Sequence, residues 1–577
     1  MNFDVAERLK TDVLVIGAGG AGLRAAYEAK AAGAKTLLVN KGRIGVSGAT
    51  AVGLASSAGF AIPDGAGDPE DSPDVHYDDI ITAAQGCADP ALVRILVDEA
   101  IRAGEDMDRW NVEFIQDPKT GKALIAQGDF ASRPRNRKIY HHGKPVSDAL
   151  KRQCEEIGVD FLERAMVLAL LVGEDGVGGA LVLGQDGRLT VVEAGATVVT
   201  TGGAGQLFRY SLMPPDITGD GYALGYRAGA RMANMEFMQA GFGTIKPALN
   251  IVMSWYWAVM PKLLDRNGQD IIGPHLPQGV SAEQAMTDKS KHYPFSASDH
   301  SQWIEVAAKR GIEEGVATDE EGFRLDLREI DSSRLSAAGF QHLWKVSREW
   351  LLRKNMDIEK EPLHVGLFGH AINGGLIIDA HGQSSVPGLL AAGEAAAGPY
   401  GADRLGGNML LNCQVFGRRA GEQAARIAGE RRRAPEEATV EAELTALRQR
   451  VEKGTAPIRE AHDTIKRTMS KNALVVRNEA GLSEAEQVLR EVGDRLRAGH
   501  YQAGSVKEVF RLYEAENLVD VGLMMVGAAI LRRETRGSHY RDDAPTVDPA
   551  WDRSILVTVG DEGPVFAPHS LGSDGTG

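Results

Sequence analysis

Short, β-branched apolar runs at residues 12–16 and 36–39 have the look of strands. Between them, residues 23–32 are Ala-rich with helical spacing, and Gly33 ends that pattern. The prediction is strand, turn, helix, strand. Residues 91–110 read as one amphipathic helix and 145–158 as another, while 160–171 and 179–193 alternate between Gly/Asp turns as in a small β-layer. An apolar strand at 196–200 and a helix over 218–230, opened by Asp220 and Gly221, come next. Residues 241–361 change character, with Trp255, Tyr256, Trp257, several Pro and Gly and mixed helices, as in an inserted cap. Short strands resume at 374–379 and 388–392, and residues 401–425 enter a long helix. Residues 435–540 read as an antiparallel helical bundle, and a Gly/Pro/Asp-rich tail with a frayed end follows Val547. Residues 61–78 read as an exposed Pro/Asp/Gly-rich excursion. Residues 119–144 read as a basic loop carrying Arg133, Arg135, Arg137, His141 and His142, either a solvated face or a stretch near cofactor phosphates or a partner.

The first unit places Gly17, Gly19 and Gly22 in G-x-G-x-x-G spacing at its strand end. Such glycines make a tight turn, admit a pyrophosphate close to backbone, and let helix pack on strand. The helix N-terminus then turns free N–H groups and a positive dipole end to the phosphates. The expected contacts are Gly17, Gly19, Gly20, Ala21 and Gly22. Asn40 stands where many dinucleotide folds place an acid for the ribose, which argues against NAD and is compatible with FAD. Residues 42–60 are almost all small, so backbone can lie against a flat ligand. Lys41, Gly42, Ser47, Gly48 and Ala49 therefore join the expected cofactor contacts, as do Thr201, Gly202, Gly203 and Asp220 farther on.

Composition narrows the partners. The chain of 577 residues is 43% hydrophobic and 25% charged, as in a globular protein of several domains. A net charge of −15 suggests no nucleic-acid partner. The start MNFDVAERLKTD lacks a signal-peptide pattern, and no long uncharged apolar run suits a membrane span. Cys87, Cys154 and Cys413 are far apart and read as buried thiols in a reducing, cytoplasmic setting, with no metal or cluster held by this chain.

Blocks along nearly the whole chain resemble the flavoprotein-subunit family of succinate dehydrogenase and fumarate reductase, which includes aspartate oxidase and adenylylsulfate reductase. They are GAGGAG at 17–22, TTGGAG at 200–205, TGDGYALGYRAGA at 218–230, MEFMQ at 235–239, HAINGGL at 370–376, VPGLLAAGE at 386–394, GADRLGGNMLL at 401–411 and VFGRRAG at 415–421. MSKNALVVRNEAGL at 469–482 and RRETRGSHYRDD at 532–543 match the helical domain. The resemblance implies an α/β fold. A Rossmann-like FAD-binding domain (1–240 and 362–434) is interrupted by an α+β capping domain (241–361) and followed by a helical domain (435–543) and a tail (544–577). It implies that Glu394 holds FAD hydroxyls, that Arg404 is also a cofactor contact, and that the helix opening at Asn408, with Leu410 and Leu411, points its positive end at the flavin N1–C2=O edge. Where respiratory members attach FAD through a histidine, this chain has Gly48, which implies non-covalent FAD.

His370 and Arg404 match the histidine and arginine that hold substrate carboxylate in the dicarboxylate-specific members. Other substrate machinery departs. Residues 240–243 read AGFG in place of F-H-P-T, the T-E-G relay has no counterpart near 255–267, and Ser298 falls at the proton-donating arginine. His300, Lys309 and Arg310 are the nearby candidates for proton transfer. Trp255, Tyr256 and Trp257 resemble the aromatic cap segment of the adenylylsulfate reductase branch, and read either as facing the flavin or as packing. The implied function is an FAD-dependent oxidoreductase, not a true succinate dehydrogenase. Hydride moves between flavin N5 and a small anionic, carboxylate-bearing substrate, and electrons pass to an iron–sulfur small subunit near the helical region and residues 532–541. Alternatives are a stand-alone flavin oxidase, a subunit like that of adenylylsulfate reductase, and a non-catalytic electron-transfer flavoprotein.

Overall fold

The computed structural model describes residues 3–572 apart from 54–56, 118–119, 141, 319, 331, 338–340, 431–433 and 452–453. His141 of the basic stretch lies outside the described residues. The first strand, β1 (Val5–Ile16), leads through a turn into α1 (Gly20–Ala31) and then β2 (Thr36–Asn40). β1 begins earlier than its apolar run suggests, because its charged first half pairs with β3 (Leu189–Val199), from Val5 opposite Leu189 to Ile16 opposite Val199. β2 lies parallel to β1 on the other side, with Val15 opposite Leu38.

The strand Asp160–Glu163 extends this sheet parallel to β2, and the hairpin Ala165–Gly173/Gly176–Gly184 extends it antiparallel to β3. The predicted small β-layer is therefore part of the main sheet. Alternation announces strands, but it does not say which edge they join. A late strand, β4 (Leu389–Ala391), returns parallel to β3 with Leu390 opposite Val198. It precedes α2 (Asn408–Glu430), which packs on α1 closely enough that a Cβ at Gly417 would lie 2.8 Å from the Ala21 carbonyl oxygen. The helix expected over 91–110 is two helices, Pro90–Asp98 and Ala100–Arg109. They meet at Glu99, whose carboxylate bridges Arg418 and Arg419 of α2.

The intervening cap hangs on two long antiparallel strands, Met238–Lys246 and Leu363–Ile372, with Phe242 opposite Leu367. Three short strands complete their sheet, and the helices Ala282–Lys289, Gln302–Glu313 and Gln341–Leu352 lie in the same segment. The expected cap start at residue 241 thus falls inside a strand. Four helices from Glu437 to Leu531 form the helical region. Among the described residues no helix is long and apolar enough to cross a membrane.

Two sequence readings are corrected. Residues 554–569 are not a frayed tail. The hairpin Ser554–Gly560/Gly563–His569 pairs with Met232–Ala233 and buries Ile555 and Val557. Residues 61–78 are not simply exposed either, since Ile62, Asp71 and His76 are buried. The acids of that excursion meet the basic stretch that follows. Arg135 bridges Asp71 and Asp79, Arg133 bridges Asp68 and Glu70, and Arg137 bridges Asp64 and Asp108. An apparent basic loop is thereby a charge-compensated strand, Pro134–Tyr140.

Candidate active site

The turn after β1 is made of backbone. Gly17 has φ +100°, and a Cβ there would lie 2.6 Å from the Thr200 carbonyl oxygen. A Cβ on Gly22 would collide with the Gly17 carbonyl oxygen, so helix and strand meet at contact distance. Asn40 serves this turn by accepting the Ala18 N–H at 3.1 Å, which explains a neutral residue at the end of β2. Gly20 N–H donates to Thr50 Oγ1 at 3.0 Å, and Gly48 N–H to Asp216 Oδ2 at 2.8 Å. A cavity of about 330 Å³ opens over this turn. Of the residues expected at the site, it is lined by Gly17, Gly19, Gly20, Ala21, Asn40, Lys41, Ser47, Gly48, Ala49, Thr201, Gly202, Asp220, His370, Glu394, Arg404 and Leu410.

Charges at the turn end cancel. Lys41 Nζ lies 2.8 Å from Asp220 Oδ2 and 2.9 Å from Glu514 Oε1, and donates to Thr218. Burial disfavours the ammonium, but the two carboxylates outweigh it and raise its pKa. Burial likewise disfavours the Asp220 carboxylate, and Lys41 with the hydroxyl and amide donors outweighs it and holds the pKa down.

At the other end the charges do not cancel. Arg404, 7% exposed, donates to Gln239 Oε1 at 2.8 Å and to the Leu405 carbonyl at 3.3 Å; its Nε has no partner. Among the described residues no carboxylate lies within ion-pair distance of it. His370 sits at the end of the cap strand Leu363–Ile372 with Nδ1 unpartnered, and Tyr293 meets its ring edge-on at 6.0 Å. Burial, then Arg404 and His142, push the His370 pKa down to about 3, so this imidazole is neutral. His142 is pushed down to about 4, chiefly by burial, which outweighs a backbone hydrogen bond at Ala49. Burial raises Glu394 to about 7 against the pull of Arg404 and the N–H groups of Ile372 and Gly203.

The comparisons agree on kinship. Residues 12–410 match the FAD binding domain family, and residues 462–565 match the fumarate reductase flavoprotein C-terminal family. The chain belongs to the fumarate reductase and succinate dehydrogenase flavoprotein family. This flavoprotein is 30% identical to a subunit of the CoM/CoB fumarate reductase of Methanothermobacter marburgensis, over 96% of its own length and 98% of the relative's. It is also 30% identical to the L-aspartate oxidase of Streptomyces coelicolor, over 96% and 92%. The Mycobacterium smegmatis Sdh1 structure in complex with UQ1 superposes with a TM-score of 0.85 at 25% identity, covering 98% and 95%.

FAD is thus the cofactor of this flavoprotein, and the cavity fits it. The glycine turn leaves room only for backbone, the α1 N-terminus faces the cavity, and Gly406, Gly407, Met409 and Leu410 bring the start of α2 to the same space. Some expected contacts stand behind the wall. Gly22 and Gly42 are shaped by packing, and a Cβ on Gly203 would strike the Glu394 carboxylate. Asn408 Oδ1 lies 2.9 Å from Nε2 of buried His76 while its Nδ2 is unpartnered, and Leu411 is core.

The expected proton-transfer residues are not brought to the cavity. His300 does not line it. Arg310 lies beside Tyr540, and Lys309 donates to the Lys471 carbonyl. Ser298 is exposed and bonds Gln85 and Asp403. Trp255, Tyr256 and Trp257 are packing: Trp255 stacks on Tyr256 at 4.2 Å, Trp257 meets Phe242, and the neighbours Met253 and Ser254 reach the cavity instead. The 532–541 stretch is not a basic surface, since Arg532, Arg536 and Glu236 are buried with Glu534 in one ion-pair network.

Sequence reasoning missed Asp129, Asn136, Lys138, Asp216 and Tyr293 as lining residues, and gave His142 no specific role. The available signal was alternation. On a strand, Asn136 and Lys138 share one face while Arg135 and Arg137 share the other.

Proposed function

We propose that this flavoprotein binds FAD non-covalently and carries out two-electron oxidation–reduction on a small carboxylate, held by Arg404 and His370. Gly17, Gly19, Gly20 and Ala21 would face the pyrophosphate, Glu394 cofactor hydroxyls, and the start of α2 the flavin ring. Bound FAD supplies the hydride chemistry. Gly48 offers no side chain for attachment, and a Cβ there would meet nothing within 4 Å.

The observation that carries the reading is Arg404, a buried guanidinium with no carboxylate within ion-pair distance among the described residues, near one unpartnered imidazole nitrogen. A buried cation of this kind is stabilised by an incoming anion, and its fork suits two carboxylate oxygens. Neutral His370 adds a directed hydrogen bond without competing charge.

Electrons would reach or leave the flavin through an iron–sulfur small subunit in a hetero-oligomer; the Methanothermobacter relative is named as one subunit of its reductase. The aspartate oxidase relative favours a second reading, in which oxygen takes the electrons. The test is a screen of purified holoprotein for bleaching or reoxidation of its flavin by succinate, fumarate and L-aspartate. Carboxylate-dependent change in wild type that is lost in R404A supports the proposal, and no response to any carboxylate overturns it. Peroxide formation by the chain alone selects the oxidase reading. Flavin that stays with the chain in denaturant would overturn non-covalent binding.

A further inference from the structure

The strand Pro134–Tyr140 has two unlike faces. Arg135 and Arg137 point away from the cavity into carboxylates. Asn136 and Lys138 line the cavity. Asn136 donates to the Gly406 carbonyl at 2.9 Å, which fixes this strand against the start of α2. Among the described residues Lys138 has no carboxylate within ion-pair distance. The adjoining strands Ser57–Ala61 and Ile125–Gln127 bring it no titratable side chain. Among the lining groups, Asp129 and His142 feel the Lys138 charge directly; Tyr293 neighbours Asp129, His370 neighbours His142 and Arg404, and Glu394 neighbours Arg404.

We propose that Lys138 is the catalytic residue that exchanges a proton with the substrate atom adjacent to the one taking or giving the hydride. This rests on the redox reading above and goes further by assigning its acid–base group. In the reducing direction one atom of an unsaturated bond would receive a hydride, the chemistry that bound FAD supplies, and Lys138 Nζ would give a proton to the next. The π bond breaks, two bonds to hydrogen form, and neutral Nζ recovers a proton from water. In the oxidising direction the same bonds break, the electron pair leaves with the hydride, and neutral Nζ takes the proton.

The other groups are unsuited. Position 298, where the resemblance expects an arginine, holds an exposed serine outside the cavity lining. His142 and His370 are neutral down to about 4 and 3, so neither is an imidazolium acid near neutrality. The Tyr293 hydroxyl is spent on the Phe242 carbonyl at 2.8 Å, and Asp129 accepts the Tyr293 N–H at 2.7 Å. Glu394 is engaged by Ile372 N–H on the cofactor wall, and Lys41 by two carboxylates. Burial lowers the Lys138 pKa, with Asp129 opposing, which brings the ammonium closer to the range where it can both give and take a proton.

The experiment has two arms on FAD-loaded protein. In the first, turnover with whichever of succinate, fumarate or L-aspartate the wild type uses should fall roughly 100-fold or more in K138A, with FAD retained. Methylamine in solution should restore part of it, more so as its protonation state matches the wild-type pH profile. Activity within about threefold of wild type, or no amine rescue in a folded FAD-loaded variant, overturns the proposal. In the second arm the lysines are ¹³C-methylated and followed by NMR, the Lys138 signal being assigned by its loss in K138R. It should titrate below the other lysines and shift on addition of malonate. Titration with the bulk and no malonate shift overturns the proposal even if K138A does not fold. A wild type whose flavin answers no carboxylate, yet whose Lys138 behaves as described, would refute the substrate reading and leave the assignment of the acid–base group standing.

Discussion

At the glycine turn the cavity wall is backbone and its charges are balanced, whereas among the described residues neither Arg404 nor Lys138 has a carboxylate within ion-pair distance. The strand Pro134–Tyr140 repeats the contrast within seven residues, with a balanced outer face and an unbalanced inner one. A permanently held cofactor is best recognised by shape and backbone dipoles, which cost nothing when it is bound throughout the protein's life. A substrate that comes and goes needs charges that no internal partner has claimed.

The contrast breaks first on the balanced face. Arg135 and Asp71 each have side chains 1% exposed. R135M should destabilise the fold by about 3–5 kcal/mol, because it strands a buried carboxylate. K138M, one side chain along the inner face, breaks no ion pair and should change the melting temperature little. Equal losses in thermal unfolding would mean that Lys138 has an internal partner. G22A should weaken FAD binding and lower stability by roughly 3 kcal/mol, the upper end for forcing an atom into closed packing. FAD content of the purified variant checks this.

R404A should keep FAD and lose about 10- to 100-fold in turnover of the responsive carboxylate, since a hydrogen bond to a charged group contributes roughly 1.5–3 kcal/mol. Steady-state kinetics at saturating and limiting substrate separates binding from turnover.

How much of this was legible depends on what each part is made of. Gly17, Gly19 and Gly22 can be read because a backbone-built turn demands glycine at fixed spacing. The β1–α1–β2 unit, the alternation of sheet and helix, the cap and the helical region follow from periodicity. The destinations of strands did not, as with Asp160–Glu163, which joins the main sheet, and the Ser554–His569 hairpin was read as a frayed tail although it docks on Met232–Ala233. The substrate end was half legible. His370 and Arg404, to which the resemblance points, line the cavity. Lys138 was hidden in a basic run whose arginines turned out to face acids 29 to 73 residues away in sequence. His300 and Arg310, expected for proton transfer, do not line the cavity, because nearness in sequence to Ser298 says nothing about which side chains reach it.

Stability also depends on pH in this cavity, through His370 and Glu394. In the unfolded chain His370 takes up a proton near pH 6.5, while the folded one stays neutral down to about 3. The unfolded state therefore binds more protons in that window, and acidification from pH 6.5 towards 3 costs stability, by about 1.4 kcal/mol per pH unit for such a group. Glu394 works the other way. Its folded form keeps its proton up to about 7, so that contribution is lost as pH rises from 4.5 through 7. H370Q should flatten the acid limb of a melting-temperature profile and leave the Glu394 limb in place.

The central claim is that the unbalanced cations beside the flavin hold a carboxylate. It is tested most directly by titrating FAD-loaded protein with malonate, an unreactive dicarboxylate, and recording the flavin absorption spectrum of wild type and R404A. The account predicts a saturable perturbation in wild type that weakens sharply with R404A while FAD stays bound. A wild-type spectrum indifferent to malonate and other small carboxylates, or an R404A spectrum that responds as wild type does, would contradict it.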